Sequence, residues 1–68
     1  MNLLTEELLD CQGRVTHRLV LELDGSVQVT MMSSGVTAQV DTAKRRVLTP
    51  GVHLPEEVIS AACCLMVR

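Results

Sequence analysis

Five side chains in this sequence are of the types that bind a soft metal ion: Cys11, His17, His53, Cys63 and Cys64. A structural zinc site draws its ligands from closely spaced pairs, and the chain has neither a C-x2-C nor an H-x3-H pair. Adjacent cysteines on a helix point about 100° apart, so Cys63 and Cys64 do not share a ligand sphere. A disulfide between such neighbours closes a strained ring and disrupts the helix expected there. The cysteines therefore read as small buried hydrophobes, the usual fate of free thiols, and no metal or cofactor is assigned. An odd number of them at irregular spacing also gives no disulfide framework, which points to a reducing, cytoplasmic setting.

Acid–base and nucleophilic chemistry fare no better. The paired acids Glu6-Glu7 and Glu56-Glu57 each fall where a helix is expected to start, and there they serve the helix dipole rather than a proton transfer. Ser33-Ser34-Gly35 lacks the G-x-S-x-G frame of a nucleophile elbow. No glycine-rich phosphate loop follows a strand. His17 is expected on the inward face of a sheet, opposite Met31, as a hydrogen-bonded residue at the margin; His53 lies in the Pro50–Pro55 connection and is expected to be solvated. The chain is read as having no catalytic residues and as not being an enzyme.

Lys44, Arg45 and Arg46 form the only basic cluster and are the candidate nucleic-acid contacts. With Arg14 and Arg18 they make up five of the six basic residues, yet the net charge is −2. That sign opposes nonspecific phosphate binding. The aromatic content is 0%, so no ring is available to stack on a base.

The elements that would carry these residues follow from hydrophobic period. Leu3, Leu4, Leu8 and Leu9 recur at helical spacing, with Asn2 or Thr5 as cap and Gly13 as stop, which predicts a helix over 3–11. From Arg14 the period becomes two. Val15, Leu19, Leu21, Val27, Val29, Met31, Val36, Ala38, Val40 and Val47 fall on one face. Thr16, Arg18, Glu22, Gln28, Thr30, Thr37, Gln39 and Asp41 fall on the other, interrupted by Val20 and Met32.

Loop lengths fix the pairing. A three-residue loop Leu23-Asp24-Gly25 sets Leu21 against Val27 and Leu19 against Val29, with Gly25 in the left-handed position; a two-residue loop would oppose apolar to polar. A four-residue loop Met32–Gly35 sets Val29 against Ala38. A turn through Thr42–Arg45 sets Val40 against Val47 and Asp41 against Arg46, before Pro50-Gly51 ends a short last strand. A second helix begins at Pro55, where a missing N–H does no harm, and Arg68 suits its far end. The last five residues alternatively form a short strand.

The predicted architecture is a single α+β domain spanning 1–68: a three- to four-stranded antiparallel meander, two-layered, flanked by an N-terminal and a C-terminal helix. With 68 residues the chain is small for such a fold and, at 47% hydrophobic, it is rich in apolar surface to hide. Residues 58–67 are apolar at nine of ten positions, with Ser60 the exception. A helix that is apolar all round asks for cover on every side. Val58, Ile59, Ala62, Leu65 and Met66, with Val20 and Met32 on the sheet, are therefore the expected interface residues. The partner would be a second copy or a larger protein. No 18-residue stretch lacks charges, as a membrane span would require, and the acidic N-terminus is unlike a secretory leader. The functional expectation is a small interaction or regulatory module of the size common among phage-encoded and bacterial accessory proteins, with nucleic-acid binding as the alternative.

Overall fold

A computed structural model of the chain describes residues 4–67. Five strands, β1 (Leu4–Leu9), β2 (Val15–Leu21), β3 (Val27–Met31), β4 (Thr37–Asp41) and β5 (Arg46–Val47), precede one helix, α1 (Glu56–Met66). The strands form one antiparallel sheet in the order β1-β2-β3-β4-β5. Helix α1 lies across β2 and β3. The fold class is α+β.

The expected pairings within the meander all occur. Leu21 faces Val27 and Leu19 faces Val29; Val29 faces Ala38; Val40 faces Val47 and Asp41 faces Arg46. The loop at Leu23-Asp24-Gly25 is closed by Glu22 N–H donating to the Ser26 carbonyl (2.9 Å) and Gly25 N–H donating to Glu22 (3.1 Å). Gly25 has φ +89°, a conformation in which side chains are strained.

The N-terminal segment is a strand, not a helix. Residues Leu4–Leu9 pair along β2, from Leu4 opposite Leu21 to Leu9 opposite Val15, with a register shift between Leu8 and Leu9. The residues Asn2 and Leu3 of the expected helix lie outside the described residues, as does Arg68. Leu and Glu favour helices, but an isolated helix of this length is marginal in water. Pairing instead gives the backbone a ladder along β2, which would otherwise be an edge. Gly13, read as a helix stop, is the left-handed residue of a hairpin loop: its N–H donates to the Asp10 carbonyl (3.0 Å), while Asp10 N–H donates to Arg14 (2.9 Å). The Asp10 carboxylate also accepts from the N–H groups of Gln12 and Arg14, each at 2.9 Å.

The C-terminal segment is a helix to Met66, which removes the strand alternative. Pro55 is its N-cap residue, and its carbonyl accepts from Val58 and Ile59 N–H. Glu56 and Glu57 occupy the first turn, where the dipole favours negative charge. The core is formed by Leu19, Leu21, Val27, Val29, Ala38 and Val40 of the sheet, Val58, Ile59, Ala62 and Leu65 of the helix, and Leu54 of the connection. Val36, expected among the inward residues, is exposed at the end of the β3–β4 loop.

Candidate interaction surface

The chain's own fold covers much of the apolar C-terminal segment. Val58, Ile59, Ala62 and Leu65 are 2%, 9%, 0% and 1% exposed. They recur at i, i+1, i+4 and i+7, a single stripe facing the sheet. These four expected interface residues are thus interior residues, unavailable to a partner. The cover comes from β2 and β3, across which α1 lies, and from the connection before α1, which buries Leu54 and half-buries Val52. Small side chains on the helix flanks do the rest. Ala61 and Cys63 are half-buried against the core, and the Cys63 thiol donates to the Thr42 carbonyl (3.6 Å). Cys64 and Cys11 are exposed, contrary to the reading of all three cysteines as buried.

Of the other expected contacts, Met66 and Met32 are each 43% exposed, and Val20 is half-buried on the sheet face away from the helix. Met66 lies beside the β2–β3 loop, with its methyl group 3.5 Å from where a Cβ on Gly25 would stand. Met32 lies toward the opposite end, its N–H donating to the Thr16 carbonyl (3.0 Å). The structure does not gather these residues into one patch.

The sheet face away from α1 is uncovered by any described element. Its residues align in rows across the strands. Thr5, Val20, Gln28 and Gln39 make one; Glu7, Arg18, Thr30 and Thr37 make the next. Within the second row Arg18 donates to the Glu7 carboxylate at 3.0 Å, and the Thr30 and Thr37 hydroxyls are 3.2 Å apart. Near the β2–β3 loop, Asp24 accepts from the Ser26 N–H (2.9 Å) and hydroxyl (2.7 Å), and the Gln39 amide donates to the same hydroxyl (2.8 Å). The hydroxyl and backbone donors of Ser26 hold the Asp24 carboxyl below its ordinary value. This face is polar and largely self-satisfied.

The two edges of the sheet differ. On the β5 side the paired segment is two residues long. It is prolonged only by Leu48 N–H donating to Gln39 (2.8 Å) and by the Thr49 hydroxyl accepting from Gln39 N–H (2.9 Å). Pro50 follows. On the other side β1 is six residues long with neither Pro nor Lys, its edge features being Glu6, Glu7 and the register shift at Leu8 and Leu9. Its side chains alternate: Leu4, Glu6 and Leu8 stand on the helix side with Leu21, Leu19 and His17, while Thr5 and Glu7 stand on the other with Val20 and Arg18.

The basic cluster is partly committed. Arg45 donates to Glu56 (2.7 Å) and to the Ser60 hydroxyl (3.0 Å) on α1, and the hydrogen bond to Glu56 raises its pKa further. Arg46 faces Asp41 across β4 and β5. His17 faces Met31 as expected, its Nδ1 3.0 Å from the Thr16 hydroxyl; His53 is exposed. Among the described residues no three His, Cys, Asp or Glu side chains come together in a way that could hold a metal ion, and no helix is long and apolar enough to cross a membrane. The chain matches no protein-family model, no curated protein and no solved structure.

Proposed function

We propose that this chain is a non-catalytic interaction module that docks on a larger protein by lending it the edge strand β1. The observation that carries the reading is an edge six residues long, with neither Pro nor Lys, on a sheet whose core is already closed by α1. Main-chain groups along such an edge accept an added strand, which supplies affinity without a deep pocket. The depressions on this molecule are shallow surface features; one of about 280 Å³ lies where Leu8 and His17 meet Pro55 and Val58 at the start of α1. The nucleic-acid alternative has less behind it, since Arg45 is engaged by Glu56 on α1 and the chain has no aromatic ring to stack on a base.

The test is affinity capture at native abundance, with wild type compared against a proline variant of β1. Neighbouring residues on a strand point their N–H groups to opposite sides. One of Thr5→Pro and Glu6→Pro therefore removes an outward N–H and keeps the ladder to β2; thermal unfolding identifies which. A partner held by wild type and lost by that variant is the expected result. If the folded variant retains the same proteins as wild type, the edge is not the docking element.

A further inference from the structure

Thioethers bind soft metal ions, and two methionines stand beside His17 at the end of the sheet away from the Gly25 loop. The geometry points to a site for a soft monovalent cation of the Cu(I) kind, held by His17, Met31 and Met32. All three side chains line one depression of about 420 Å³, together with Thr16 and Ser33.

The ladder brings the first two ligands together. His17 and Met31 are directly opposed across β2 and β3. Met31 N–H donates to Val36 (2.8 Å), away from β2, whereas Met32 N–H donates to Thr16 (3.0 Å). His17 and Met31 therefore form a pair that shares no backbone hydrogen bond. That is the closer of the two pair types in an antiparallel ladder, with Cα atoms about 4.5 Å apart and both side chains on one face. Both residues are half-buried. Met32 follows at the strand end and is 43% exposed, and its unbranched side chain adapts readily to a ligand.

Thr16 decides which histidine nitrogen is open. Its hydroxyl has one proton and donates it to the Leu8 carbonyl (3.2 Å). The contact of His17 Nδ1 with the same oxygen (3.0 Å) is then one in which Nδ1–H donates. In the neutral ring this leaves the lone pair on Nε2. An imidazole oriented by a hydrogen bond from its other nitrogen is the usual arrangement of a metal-binding histidine. One ring nitrogen with two thioether sulfurs suits Cu(I), whereas Ca²⁺ and Mg²⁺ require oxygen ligands. Arg14 also lines the depression, but its guanidinium is directed to Gln12 and to the Asp10 carboxylate (3.9 Å), which offsets its charge.

The probe is Ag(I), a redox-inert soft cation, titrated into the full chain carrying ¹³C-labelled methionine methyls and the substitutions C11S/C63S/C64S, which remove competing thiols. The Met31 and Met32 methyl resonances are expected to shift together and saturate, while Met66, 43% exposed like Met32, stays in place. On that background M31L, which keeps the bulk of the side chain, and H17Q are each expected to weaken Ag(I) binding by about tenfold or more. The melting curve of M31L is expected to stay close to its parent's. Zn(II) is expected to leave the methyls unmoved. Absence of a shift at Met31, or Met66 shifting in step with it, overturns the site, and so does M31L or H17Q binding as tightly as the parent. Zn(II) moving the methyls as Ag(I) does overturns the assignment to a soft ion. Should the serine variant fold poorly, the intact chain gives the same readout once Ag(I) exceeds its three cysteines.

Discussion

Arg45 is the only non-glycine with positive φ (53°) among the described residues, and it sits where the β3–β4 loop uses Gly35. Both close four-residue loops between paired strands, at the position before the returning strand. Left-handed backbone is costly for a residue with a Cβ; here the side chain offsets that cost by joining the loop to Glu56 and Ser60 of α1. Arg45→Ala keeps the strain and loses both contacts, whereas Arg45→Gly loses the contacts and relieves the strain. The glycine variant is expected to melt above the alanine variant. Gly25 presents the opposite case, since its φ of +89° has no side chain to compensate it. Gly25→Val forces a β-branched residue into that region at a cost of about 2 kcal/mol, a fall in Tm of ~10 °C for a domain this small. An unchanged melting curve would mean that the β2–β3 loop is not the one described.

At the scale of elements, α1 divides sharply between a buried stripe and an open side. Leu65 is 1% exposed, one position from the exposed Cys64. Leu65→Ala is expected to cost about 2–5 kcal/mol through lost burial and an unfilled space; Cys64→Ala is expected to stay within about 0.5 kcal/mol. Denaturant titrations of the two variants separate a helix held by its sheet face from one held all round. The β1 hairpin was legible in one feature that the leucine spacing masked. Asp10-Cys11-Gln12-Gly13-Arg14 has glycine at the same place as Glu22-Leu23-Asp24-Gly25-Ser26, and the two loops close with the same pair of backbone hydrogen bonds. Leu4, Leu8 and Leu9 suggested a helix because leucines fall on both faces of β1, and Glu6 and Glu7 do too. A two-sided edge strand has no period of two to read.

Across the whole molecule, order is expected to decline from the middle of the sheet outward. β2, β3 and β4 contribute all six buried sheet residues, while no residue of β1 or β5 is fully buried. Native-state hydrogen exchange is expected to show the greatest protection in β2–β4 and in α1 around Ala62, with β1 opening at lower free energy. Equal protection in β1 and β3 would mean that the N-terminal strand is held by more than its ladder. A less stable edge also suits docking, because an added strand then stabilises the element it pairs with.

The registers from Leu19 to Val47 were readable from the chain because each is local: apolar alternation and loop length together leave one pairing that keeps like with like. The turn of α1 after Pro55 was readable for the same reason. What the folded molecule alone established is long-range. Val58, Ile59, Ala62 and Leu65 look like surplus grease in the sequence, and become interior only once α1 lies across β2 and β3 with Leu54 packed beside it. Leu4–Leu9 becomes a strand only because β2 offers a ladder that no inspection of those six residues reveals. Burial depends on how much surface the rest of the chain can provide, which is a property of the assembled layers and not of any one segment.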